Sequence, residues 1–109
     1  MKSATAGWPA KIRRRDGTLV PFDVKRIEAA VGRAAREVAY NDPDMPAIVA
    51  RAVADALGPR VASVEEIQDF VAARLGEAGL DDVARAYIIY QRRRAELRTA
   101  KALLGVGAS

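Results

Sequence analysis

Lys11-Ile12-Arg13-Arg14-Arg15-Asp16-Gly17-Thr18-Leu19-Val20-Pro21-Phe22 is the stretch that decides the fold. An Asp-Gly pair between two short β-favouring runs is a hairpin signature, because glycine adopts the positive φ that a tight reversal needs. A two-stranded ribbon is therefore expected over 11–22. Pro21 has no N–H to give to a ladder, so the second strand is an edge there or is already leaving the sheet. Strand alternation would send Arg13 and Arg15 to one face and Arg14 to the other, leaving at least one arginine facing the helices or at their edge.

Working outward, Asp23 stands where a helix N-cap belongs. Ile27, Val31, Ala34 and Val38 then recur at the four-and-three spacing of one helical face, which predicts a first helix from about Val24 to Ala39. Tyr40 to Asp44 reads as a loop. Pro46 suits the first turn of a second helix with the stripe Val49, Val53 and Leu57, stopped by Gly58-Pro59. Arg60-Val61-Ala62 is short and extended-looking, a candidate third strand. Ser63 and Glu66 form a capping box for a third helix that starts at Val64 and buries Ile67, Phe70 or Val71, and Leu75. That helix is expected to end between Gly76 and Gly79, where glycine takes the left-handed conformation of a C-cap. Asp81 is expected to cap a fourth helix, the longest, carrying Val83, Tyr87 and Tyr90 and unbroken before Gly105. The fold class is α+β: a small β-hairpin or three-stranded sheet covering a four-helix bundle. Residues 1–9 read as a flexible arm tied down only near its end, 10–104 as one folded domain, and 105–109 as a frayed tail or a junction to a further domain.

Composition supports one helical domain. Half of the 109 residues are apolar but only 6% are aromatic, and alanine supplies much of the rest, which favours helices packed closely through small side chains. No segment approaches the ~20 apolar residues that span a bilayer, and Met1 to Trp8 lacks the pattern of a signal peptide, so a cytoplasmic protein with no membrane contact is expected. Cysteine and histidine are both absent, which excludes disulfides, thiol nucleophiles, imidazole bases and the usual zinc ligands. No catalytic residue and no metal ligand set is expected.

The formal charge of +4 matters less than its placement. Lys25 and Arg26 open the first helix, where the backbone dipole already disfavours positive charge by ~0.3–1 kcal/mol. Cations gathered at a helix N-terminus make sense when a polyanion sits there, since phosphate oxygens gain from the dipole, the free N–H groups and the guanidinium donors together. Asp23 would then meet a ribose or a magnesium ion. The same arginines read equally well as a solvated strand edge that discourages aggregation.

Four blocks in order resemble the ATP-cone family: Arg14-Arg15-Asp16-Gly17, Phe22-Asp23 with Arg26-Ile27, Val64-Glu65-Glu66-Ile67-Gln68-Asp69, and Ala84-Arg85-Ala86-Tyr87-Ile88 followed by Tyr90. The resemblance covers roughly Ala10 to Arg94. Such domains sit at the N-terminus of many ribonucleotide reductases and in a repressor of reductase genes. The resemblance implies a site for ATP or dATP, with magnesium accompanying the triphosphate, between the small sheet and the first and third helices. It also implies that the nucleotide switches activity through oligomeric state.

Carried onto this sequence, Arg14 and Arg15 match the basic pair that would contact phosphates, and Asp23 the polar residue after the second strand. Arg26 matches the basic residue of the first helix, and Ile27 the apolar side chain against adenine. Val64 and Gln68 match the third-helix positions approaching the base, while Val20 lies on the strand facing the same pocket. Arg92-Arg93-Arg94 is similar to the family's closing cluster, with Arg93 or Arg94 reaching the phosphates. Arginine at 14 and 26 departs from the family's usual lysine, which favours bidentate phosphate contacts, and Gln91 stands where arginine is common. Read without the resemblance, Tyr87, Tyr90 and Ile27 are core residues first, and Arg92 to Arg94 a solvated helix face.

A chain without cysteine cannot build the zinc ribbon of the repressor branch. The tail Arg94-Ala95-Glu96-Leu97 with Lys101 to Val106 resembles the junction into the catalytic barrel of cobalamin-dependent reductases. The expected partners are thus a nucleoside triphosphate, a reductase catalytic domain or subunit, and other copies of the chain in a nucleotide-driven homo-oligomer. Two other classes remain: a basic nucleic-acid-binding module, for which no helix-turn-helix or aromatic stacking pair speaks, and a degenerate cone serving only as an oligomerisation scaffold.

Overall fold

The hairpin forms around Gly17. In the computed structural model, which describes residues 7–104, β1 (Lys11–Arg13) and β2 (Leu19–Pro21) pair antiparallel with Lys11 opposite Pro21, Ile12 opposite Val20 and Arg13 opposite Leu19. Between them Gly17 N–H donates to the Arg14 carbonyl at 2.9 Å and Arg14 N–H to that of Thr18 at 2.9 Å, with Gly17 at φ +89°. This is a three-residue hairpin closed by a left-handed glycine. Arg14 and Arg15 consequently lie in the turn, so the strand alternation expected to divide Arg13, Arg14 and Arg15 between two faces does not operate.

The chain then builds α1 (Val24–Glu37) and α2 (Met45–Leu57). It returns as β3 (Ala62–Ser63) beside β1, in parallel, with Ile12 opposite Ala62 and Arg13 opposite Ser63. The sheet order is β2-β1-β3. The third strand thus exists but sits later than the expected Arg60 to Ala62, because register with β1 selects the two residues leading into α3 (Val64–Glu77). α4 (Asp81–Leu104) closes the bundle.

Helix ends follow local chemistry. Asp23 Oδ1 accepts from Lys25 N–H at 3.0 Å and caps α1. That helix stops at Glu37 rather than near Ala39, because Ala39 takes φ +57° and Tyr40 N–H turns back to the Ala35 carbonyl. Ser63 Oγ accepts from Glu66 N–H at 3.0 Å, but the Glu66 carboxylate is bound to Arg60, so only half of the expected capping box forms. α3 ends as expected: Gly79 adopts φ +78° and Leu80 N–H reaches the Leu75 carbonyl at 2.9 Å. Asp81 is the first residue of α4 rather than its cap, and the Leu80 carbonyl accepts from Ala84 N–H. Acids at 81 and 82 then favour the helix N-terminus through the dipole.

The core lies among the helices beneath the sheet. It joins Ile27, Val31, Ala34 and Ala35 of α1 with Val49, Ala50, Val53 and Leu57 of α2, Ile67, Val71 and Leu75 of α3, and Val83 and Tyr87 of α4. Of the alternatives for α3, Val71 is fully buried and Phe70 half-buried. Alanines at the α1, α2 and β3 contacts let backbones approach closely. α1 packs on α2 and α4, and α3 on the same two helices. Past Ala95 every described residue of α4 is exposed, so the helix runs out of the body. The expected tail at 105–109 and the first six residues of the expected arm fall outside the described residues. Trp8 and Pro9 are described: Pro9 is buried, and Trp8 packs edge-on against Phe22 with ring centroids 6.5 Å apart. No helix of the described residues is long and apolar enough to cross a membrane.

Candidate functional site

The Gly17 turn presents Arg14 and Arg15 at one end of the ribbon. Asp16 is held within the turn, where its Oδ1 accepts from the Thr18 hydroxyl at 2.7 Å and from Thr18 N–H at 3.0 Å. Those bonds hold the Asp16 carboxyl below its ordinary value. The carboxylate is thereby committed to the turn, and the two arginines project from a fixed base.

Because β3 runs parallel to β1 and leads directly into α3, the N-terminus of α3 stands next to that turn. Two carboxylates open the helix. Glu65 pairs with Arg15, Nη1 to Oε2 at 3.2 Å. Glu66 pairs with Arg60, whose hydrogen bond lowers the Glu66 value and raises its own. The hairpin tip and the loop before β3 are each tied to α3 by an arginine.

Arg15 also lines a groove of about 360 Å³ between α3 and α4, with Gln68, Asp69, Tyr87, Gln91 and Arg92. Gln68 Nε2 donates to Gln91 Oε1 at 3.2 Å and bridges the two helices. Tyr87 is almost fully buried, and that burial, with the charge of Asp69, raises its phenol well above the ordinary value. The groove therefore offers two guanidinium groups, two amides and a carboxylate over an apolar floor.

Apolar surface flanks this polar end. Val20, Ile12 and Ala62 form one row across the sheet, facing the helices. Ile12 and Ala62 join the core, whereas Val20 is half-buried and outside it. Val64 at the start of α3 is likewise half-buried outside the core, while Ile27 belongs to it with 8% of its surface exposed.

Asp23 and Arg26 lie at the other end of the ribbon. Asp23 caps α1 and lines a second cleft of about 600 Å³ with Trp8, Phe22, Val24 and Pro59, and Arg26 is exposed in the first turn of α1. Strands of three residues separate them from the hairpin tip by roughly 10 Å of backbone. The expected site is thus drawn out along the sheet rather than gathered at one point.

On α4 the three arginines diverge. Arg92 enters the groove. Arg94 lies with its guanidinium carbon 5.9 Å from the Tyr90 ring centroid, and Arg33 of α1 stands 4.8 Å from the same centroid. At about 100° per residue, Arg93 turns away from the groove that Arg92 lines. Glu65, paired with Arg15, and Arg92, in the groove, are contributors to which the sequence reading gave no role of their own. The spacing of Ile88, Gln91, Arg92 and Ala95 on one helical face was the available signal for the last. Among the described residues no group of three or more His, Cys, Asp or Glu is placed to hold a metal ion.

A family model described as the ATP cone domain matches residues 10–96. The chain belongs to the ATP-cone family. The match ends where α4 leaves the packed body of this cone. The chain is 78% identical over 105 residues to a vitamin B12-dependent ribonucleoside-diphosphate reductase of Mycobacterium tuberculosis, covering 96% of the cone chain and 15% of that relative. A reductase of the same description from Thermoplasma acidophilum is 35% identical over 102 residues, covering 88% of the chain and 13% of the relative. An anaerobic ribonucleoside-triphosphate reductase of Escherichia coli is 37% identical over 81 residues, covering 73% and 11%. The chain thus spans 15% or less of the length of these curated relatives, and the vitamin B12-dependent reductase of Mycobacterium tuberculosis shares far more identity with it than the Thermoplasma acidophilum or Escherichia coli reductase does.

Proposed function

We propose that this ATP-cone binds ATP or dATP along the sheet and, through a change of oligomeric state, controls a ribonucleotide reductase whose catalytic residues lie outside this chain. The observation that carries the reading is the hairpin tip. Arg14 and Arg15 are held by the Gly17 turn beside the N-terminus of α3, with Arg92 across the groove from Arg15. Guanidinium donors from separate elements, next to a helix N-terminus, suit a polyphosphate.

On this reading Arg14 and Arg15 contact phosphates, and Val20, Val64 and the edge of Ile27 offer apolar surface to the adenine, with Gln68 hydrogen-bonding near it. Asp23 meets the ribose or a magnesium ion, and Arg26 contributes charge at the far end. From α4 it is Arg92 that faces the phosphates across the groove, while Arg93 and Arg94, to which the resemblance gave that role, lie on other faces of the helix. An elongated ligand, apolar in one part and anionic in another, fits a site drawn out over the length of the ribbon. The relatives' descriptions support a reductase as the partner.

The test is calorimetric titration of the chain with ATP and then dATP, in magnesium, with its mass in solution measured alongside. Saturable heat with a change of mass is the expected result. Absence of both would favour a cone that serves only as scaffold. Steeply salt-dependent DNA binding, unaffected by saturating ATP, would favour the nucleic-acid class instead.

A further inference from the structure

α3 begins with two adjacent carboxylates that are neutralised differently. Glu66 is bound on two sides, its side chain by Arg60 and its N–H by Ser63 Oγ. Among the described residues Glu65 has a single ion-pair partner, Arg15, and both side chains are about half exposed, at 48% and 49%. Arg15 belongs to an exposed turn and also lines the α3–α4 groove, so a rotation of its long side chain is enough to exchange one neighbour for another. A carboxylate is the closest mimic of a phosphate oxygen that a protein can supply, since both accept the two parallel N–H bonds of a guanidinium.

We infer that Glu65 is a built-in competitor for Arg15: it holds the guanidinium at the hairpin tip while the site is empty and is displaced by the incoming phosphate. The inference rests on the triphosphate reading above. Glu65 is then an affinity-setting residue rather than a structural clamp. Its carboxylate lowers the affinity of the cone and keeps Arg15 from collapsing elsewhere. An exposed ion pair is weak, so the competition is modest and fades as salt screens it.

The experiment titrates ATP and, separately, inorganic tripolyphosphate into the wild-type chain, Glu65→Gln, Arg15→Ala and the double variant at low and high salt. Glu65→Gln is expected to tighten both ligands about two- to fivefold at low salt, a gain that shrinks at high salt and disappears when Arg15 is already alanine. Binding that is unchanged or weakened in Glu65→Gln overturns the inference while leaving the nucleotide reading intact. A gain that persists undiminished in the Arg15→Ala background also overturns it, since the carboxylate would then act by general repulsion. Failure of the wild-type chain to bind either probe sinks both readings together.

Discussion

The indole Nε1 of Trp8 donates to the Asp55 carboxylate at 2.7 Å, joining residues 47 apart in sequence. The bond pins the segment before β1 to α2, while the indole ring meets Phe22 at the end of β2. It holds the sheet against the bundle at the end away from the hairpin tip. Trp8→Phe keeps an aromatic ring against Phe22 and removes the donor. The expected loss is on the order of 1 kcal/mol in a denaturant titration followed by circular dichroism. A wild-type midpoint would mean that ring contacts alone hold the segment.

Arg14→Ala and Arg15→Ala, at the hairpin tip, should each weaken ATP binding more than AMP binding. A residue that touches the β- or γ-phosphate loses nothing when those groups are missing. Charge-assisted contacts of this kind contribute roughly 1.5–3 kcal/mol, or about ten- to a hundredfold in affinity. Equal losses for the two nucleotides in calorimetry would remove the phosphate role from that arginine.

Gly17→Ala and Gly76→Ala should shift stability in opposite directions, although a new Cβ meets open space at both positions. Gly17 sits at φ +89°, where an L side chain costs about 1–2 kcal/mol. Gly76 lies within α3, where alanine is favoured by roughly 0.5–1 kcal/mol. Thermal melts would read both. Gly17→Ala should also weaken ATP binding, because the same turn presents Arg14 and Arg15.

Acid should loosen the turn and the Arg60–Glu66 pair at the start of α3. Asp16 and Glu66 are held below their ordinary values of 3.8 and 4.5, by the Thr18 hydrogen bonds and by Arg60 respectively. A carboxylate depressed in the folded state adds stability that is complete above its unfolded value and is lost as pH falls through the folded one. Midpoints measured between about pH 5 and pH 2 should therefore fall as acid is added. The decline should be shallower in Asp16→Asn and Glu66→Gln; the same slope in the variants would assign acid sensitivity to other groups.

Much of this architecture is legible in the sequence because its signals are local. Asp-Gly specifies the reversal, Asp23 and Ser63 cap their own helices within three residues, and the buried rows of α1, α2 and α3 follow helical spacing, although Val38, expected to end the α1 row, is exposed at its C-cap. The same locality explains the errors. Asp-Gly marks the reversal but not the length of its loop, and the three-residue loop that forms takes Arg15 out of strand alternation. Two-residue β3 is too short to carry a pattern, and its boundary follows from register with β1.

The site divides in the same way. The sequence by itself determined the family resemblance and the residue types of the site, since a basic turn, a capped helix start and an apolar row are read along the chain. Only the tertiary structure decided who meets whom: Arg15 with Glu65, Gln68 with Gln91, Arg33 over Tyr90, and Arg92 rather than Arg93 in the α3–α4 groove. Those encounters join side chains from different elements. They depend on the parallel return of β3 and on the rotation of α4 about its own axis, which are set by packing across the whole core and by no residue's local preference.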